Sequence, residues 1–117
     1  MAVKLRPHPE FAPKGKVTSA YQIEVSGKPV GSLFYETHKK LGTLPTIEIN
    51  KPYRQKGYAS KALAQGNKRE KSTYAETHKS NKASIAMLTK VGYTRVKPIG
   101  LHKLTEFGHG VHIYKRK

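Results

Sequence analysis

Residues 47–63, Ile-Glu-Ile-Asn-Lys-Pro-Tyr-Arg-Gln-Lys-Gly-Tyr-Ala-Ser-Lys-Ala-Leu, constrain the fold more than any other stretch of the chain. Residues 46–50 alternate polar and apolar around two isoleucines, the pattern of a half-buried strand. Pro52 stops that strand. Residues 54–59 then make a short basic loop around Gly57, and from Ala59 onward the residues favour a helix. A strand, a glycine-containing basic turn and a helix start together form an anion site. The first helical turn leaves backbone N–H groups without intrahelical partners, and the helix dipole places partial positive charge there. A pyrophosphate suits such a site.

The remaining composition narrows the partners. The chain has 117 residues, enough for one domain, and 36% are hydrophobic, which implies a thin core. Lys and Arg number 23 against 7 acids, a formal charge of +16. So much positive charge on a small body attracts polyanions: phosphorylated cofactors, nucleic acid, the ribosome or acidic proteins. The charge is spread along the whole sequence, which points to a folded basic surface rather than a tail. The absence of cysteine excludes thiol nucleophiles and cysteine-based zinc sites. The six histidines show no compact ligand spacing beyond His109-x-x-His112, so no metal is expected. No apolar run approaches the ~18 residues of a membrane span, and the first ten residues lack the apolar core of a signal peptide. A cytoplasmic protein, monomeric or dimeric, is expected.

Read in order, residues 3–6, 17–25, 30–37 and 44–50 are strands, the middle pair joined by the Ser26-Gly27-Lys28-Pro29 turn as a hairpin. A helix follows Gly57 and is expected to stop at Gly66-Asn67, with 67–71 a charged loop. Residues 72–78 read as a strand. Ser80 or Asn81 caps a second helix over 82–91, with an apolar stripe of Ile85, Leu88 and Met87 or Val91, and Gly92 ends it. Residues 93–96 and 111–114 are the last strands, with 99–110 a loop or strand edge. Tyr21, Tyr35 and Tyr74 occupy strand positions and are expected to pack in or beside the core. The order is β-β-β-β-α-β-α-β-β, an α/β (α+β) domain over 1–117 whose sheet has six to seven mostly antiparallel strands. The strands flanking the first helix are expected to run parallel through a right-handed crossover.

Four stretches together resemble the GNAT family of N-acetyltransferases. Residues 21–31 are similar to its hairpin, and Arg54-x-x-Gly57-x-Ala59 is similar to its acyl-CoA loop, Gln/Arg-x-x-Gly-x-Gly/Ala. Residues 76–84 resemble its strand and Asn-x-x-Ser helix entry, and residues 87–93 resemble its Leu-x-Lys-Leu-Gly-Phe. The Asn-x-x-Ser and Lys-Val-Gly-Tyr combination is most similar to the branch containing the ribosomal-protein N-terminal acetyltransferases. Three departures stand out, one of them a first helix that reads as short. About ten residues separate the first two strands, where the family has a pair of helices, so that pair is expected to be missing. The family's acidic tyrosine position holds Leu88.

The resemblance implies a GNAT fold and acetyl transfer from acetyl-CoA to an amine, a lysine or an N-terminus of a protein. It implies that Arg54, Gln55, Lys56, Gly57, Tyr58 and Ala59 cradle the pyrophosphate and that Asn81 contacts the pantetheine arm. A backbone N–H of Ile49 or Asn50 would face the carbonyl oxygen as negative charge develops on it. An attacking amine must be neutral, so a base is required. Glu76 is the first candidate and Glu48 its rival. With Leu88 in the tyrosine position, Ser84 or a water would protonate the departing thiolate. The net charge disfavours a small polyamine as acceptor. It also supports a second reading: a non-catalytic basic module on the same scaffold, of phage or mobile-element type, that grips nucleic acid or an acidic host protein.

Overall fold

The structure, a computed structural model, describes residues 2–39, 41–96 and 110–116. The first four strands are β1 (Val3–Pro7), β2 (Val17–Val25), β3 (Lys28–His38) and β4 (Gly42–Ile49). They pair consecutively and antiparallel, in the order β1-β2-β3-β4. A single 3-10 turn (Lys51–Tyr53) carries Pro52 and leads to α1 (Tyr58–Glu70). After it come β5 (Tyr74–His78), α2 (Lys82–Val91), β6 (Tyr93–Arg95) and β7 (Val111–Arg116). These last three strands form a second antiparallel sheet in which β7 lies between β5 and β6. Seven mostly antiparallel strands and two helices make an α+β fold in the expected element order. The reading of residues 99–109 lies outside the described residues.

β4 and β5 touch but share no hydrogen-bonded ladder, so the sheet opens between them where a parallel pairing was expected. Proline chemistry contributes to the gap. The bond from the Asn50 N–H to the Val30 carbonyl (2.8 Å) fixes the alternation along β4. By it, Ile47, Ile49 and Pro45 direct their backbone groups away from β3, toward β5. Pro45 has no N–H to offer on that edge.

α1 runs on through Gly66 and Asn67, the pair expected to end it, and closes at Lys71 in the left-handed conformation (φ 53°). Here glycine serves close packing. A Cβ at Gly66 would lie 2.7 Å from the Leu33 side chain and collide with the Tyr35 hydroxyl. Asn67, 1% exposed, accepts a hydrogen bond from the Tyr35 hydroxyl (2.9 Å) and donates one to the Tyr93 hydroxyl (2.8 Å). Glu70 in the last turn accepts from Ser19 and Tyr21. The charged loop read at 67–71 is therefore mostly helix, pinned to β2 and β3. Tyr35 is fully buried in the main core with Tyr21 packed against it, and Tyr74 packs against a second cluster of Leu41, Leu44 and Ile113. Residues 8–16, between β1 and β2, contain no helix, so the expected gap in the fold is real.

Candidate active site

α1 begins at Gly57, whose positive φ of 80° turns the chain from the basic loop into the helix. No side chain caps this end. Lys61 makes the first helical bond, to the Gly57 carbonyl (3.3 Å), and the N–H groups of Tyr58, Ala59 and Ser60 precede it in the first turn, at the end of the helix that carries partial positive charge. These three residues line a cavity of about 520 Å³ with Ile47, Ile49, Arg54, Gln55 and Gly57 on one side and α2 on the other. Gln55 also adopts a positive φ (62°). The Arg54 Nε donates to the Ile49 carbonyl (2.8 Å), which folds its side chain back over the strand end. Lys56 is exposed and does not line the cavity, unlike its neighbours in the motif. Lys90 does. A Cβ at Gly57 would lie 3.8 Å from its Nζ, so α2 supplies the cation opposite the α1 N-terminus. The sequence reading missed Lys90. Its spacing with Ala83, Ala86 and Met87, all on the cavity side of α2, was the available signal.

Asn81 caps α2: its Oδ1 accepts from the Ser84 N–H (3.1 Å). Asn81, Ser84, Ile47 and Met87 line the large cavity and also a second one of about 240 Å³. The second cavity continues between β4 and β5 and is walled by Pro45, Leu63, Ala75 and Leu88. Leu88, in the tyrosine position, is 2% exposed and offers only hydrocarbon. Thr46 and Glu76 line this cavity and a third, about 100 Å³, which opens beside Glu36 on β3. The cavities thus share walls from the α1 N-terminus through the opened sheet to its far side.

Of the two backbone donors read from the sequence, Asn50 spends its N–H on the Val30 carbonyl. The alternation of β4 turns the Ile49 N–H toward the opening instead. The two candidate bases differ sharply. The Glu48 side chain is 78% exposed, 4.0 Å from Arg54, at the rim of the large cavity. Glu76 projects into the passage, with one carboxylate oxygen buried and without a hydrogen-bond partner. Burial, with the Glu36 charge adding to it, raises its pKa from the ordinary 4.5 to about 7. Tyr53 also lines the large cavity and was not read as a site residue. Among the described residues no group of three metal-ligating side chains is assembled, and no helix is long and apolar enough to cross a membrane.

The acetyltransferase (GNAT) family model matches residues 5–93. The chain belongs to that family. Solved relatives of its fold include the GNAT domain of S. lividans PAT, with a TM-score of 0.62 and 16% identity over 83% of this chain and 58% of that one. An acetyltransferase of Bacillus anthracis, solved in complex with acetyl coenzyme A, aligns with a TM-score of 0.65 and 20% identity over 91% and 64%. One from Bacillus subtilis, solved in complex with CoA, gives 0.66 and 13% over 87% and 77%. The chain thus spans less than two thirds of the length of the first two. No curated protein matches its sequence.

Proposed function

We propose that this GNAT protein is an acetyl-CoA-dependent N-acetyltransferase whose acceptor is an amine of a protein, a lysine or an N-terminus. The observation that carries the reading is the run of wall-sharing cavities with an uncapped helix start at one end and the unpartnered Glu76 carboxylate near the other. The residues present fit the co-substrate. The N–H groups of Tyr58, Ala59 and Ser60, with Arg54 and Lys90, would hold its pyrophosphate. Asn81, Ile47 and Met87 flank the way inward for the pantetheine arm. When bound, acetyl-CoA supplies an acetyl group activated as a thioester.

Each remaining task falls to a residue of the chain. Glu76, ionised above about pH 7, takes the proton that the acceptor ammonium must lose before it attacks. The Ile49 N–H faces the opening, where the carbonyl oxygen gains negative charge as the C–N bond forms. As the C–S bond breaks, the sulfur needs a proton, and the Ser84 hydroxyl lies on the wall common to the two larger cavities. Glu48 is too exposed to share the role of Glu76. The similarity to the ribosomal-protein branch, and the charge of +16, favour a cytoplasmic acceptor bound to nucleic acid or part of the ribosome. The same charge supports the second reading, a basic binding module that no longer catalyses.

Calorimetry separates the two. The parent protein is expected to bind acetyl-CoA with a micromolar Kd at about physiological salt, and an Arg54→Glu/Gly57→Glu double variant is expected not to. Equal heats from parent and variant would sink the enzyme reading in favour of a polyanion-binding module, whose affinity for nucleic acid falls steeply with salt.

A further inference from the structure

The far opening of the passage is chemically unlike the rest of the molecule. Six of the seven glutamates lie among the described residues. Glu24 pairs with Arg6 (2.8 Å), Glu48 stands near Arg54, Glu70 accepts from two hydroxyls, and Glu10 is exposed between β1 and β2, away from the passage. Glu36 and Glu76 line the same opening, and neither has an ion-pair partner among the described residues. This is so although Lys and Arg outnumber the acids 23 to 7. Lys16 and His38 line the opening too, yet Lys16 makes no ion pair with either carboxylate. Its carbonyl accepts from the Thr37 N–H (2.8 Å), which ties the short 8–16 segment to the rim. That segment holds no helix, so the opening is not roofed by one.

We propose that Glu36 makes this opening select an acceptor amine that carries a second positive charge, the reacting nitrogen lying at Glu76 and the second cation at Glu36. The inference rests on the acetyltransferase reading above and names the acceptor chemistry of that same site. Position supports it. Glu36 stands exposed on β3, opposite Leu44 of β4, and Leu44 is followed two residues on by Thr46, which lines both the opening and the inner passage. The carboxylates are thus an outer and an inner point of one route. They also sense each other, since the Glu36 charge helps hold Glu76 protonated. A cation at Glu36 relieves that repulsion and leaves more of Glu76 in its ionised form, the form a base needs. Net charge therefore misleads here. The protein repels cations at long range, but its entrance is locally acidic, and charges more than about 8 Å away are largely screened at physiological salt.

A basic protein segment and a free polyamine share this chemistry, and paired acceptors distinguish them. One pair is a diaminoalkane and the alkylamine of the same chain length. The other is a capped peptide with adjacent lysines and its analogue with norleucine at the second position. CoA release from acetyl-CoA is followed for each. In the parent, the second charge raises kcat/KM about tenfold, equivalent to one ion-pair-assisted contact of ~1.4 kcal/mol. The pair with the larger ratio identifies the source. Glu36→Gln brings both ratios close to one, whatever it does to the individual rates, while Glu24→Gln removes the same charge elsewhere and keeps them. Equal kcat/KM within each pair in the parent, or a preference that survives Glu36→Gln, overturns the proposal. If nothing is acetylated and acetyl-CoA does not bind, the enzyme reading fails by itself. The same pairs are then compared by NMR titration of the Thr37 and Thr46 amides. There a second-charge preference lost in Glu36→Gln upholds the selectivity, and none in the parent overturns it.

Discussion

Glu76 concentrates the chemistry of the candidate site in one carboxyl group. Its pKa in the folded chain, about 7, lies above the ordinary 4.5, so folding favours its protonated form. The stability this group contributes is therefore full below pH 4.5 and is lost as pH rises through 7. Glu76→Gln removes the buried charge. At pH 8 the variant melts higher than the parent, by about 1 kcal/mol once solvent screening of a half-exposed group is allowed for. At pH 4 the two melt together. Activity moves the other way. The parent rate rises with pH around 7, and the glutamine variant loses a factor of about 10² to 10⁴. Thermal melts at the two pH values, alongside a pH–rate profile, check both halves. A variant that keeps its rate would move the proton-taking role away from Glu76. The sequence named Glu76 first from its place five residues upstream of Asn81, but that its carboxylate is partly buried while that of Glu48 is exposed is visible only in the fold. The choice of Ile49 over Asn50 was not legible in the sequence, because it depends on which way each N–H points, and strand pairing alone decides that.

α1 and α2 are built on different rules. α2 follows local signals throughout: Asn81 caps it, Gly92 at φ 106° closes it, and its observed ends match the sequence reading. α1 overrides its local signals. Gly66-Asn67 looks like a stop, yet Gly66 lets the helix lie close against Leu33 and Tyr35, and Asn67 bridges two tyrosine hydroxyls. Those partners are distant in sequence, so no window around residue 66 reveals them. Gly66→Ala is expected to destabilise the fold by about 2 kcal/mol, despite alanine's higher helix propensity, because the added methyl meets packed side chains. Denaturant melts of the purified variant measure this. A neutral or stabilising result would mean that α1 shifts freely on the sheet.

At the scale of the whole molecule, element order, strand count and the missing helical pair were readable from the chain, and the opening of the sheet was not. A parallel β4–β5 pairing followed from the crossover rule, but Pro45 carries no donor on that edge. The distribution of charge was equally hidden: the composition reports +16 and cannot say that two carboxylates, without an ion-pair partner among the described residues, share one entrance. The basic surface still acts at long range. Acetyl-CoA affinity should fall severalfold between 50 mM and 300 mM salt, since screening shortens the reach of the field from ~14 Å to ~6 Å; titrations at the two salts test it, and a flat response would place the binding energy in hydrogen bonds alone. The opened sheet has one more consequence. A sheet that parts in its middle owns an edge in its interior, and unpaired edges invite strands from other chains. Natural sheets discourage such strangers with prolines and charges on exposed edges. Pro45 therefore guards solubility: the residue that withholds a donor from β5 withholds it equally from any passing strand.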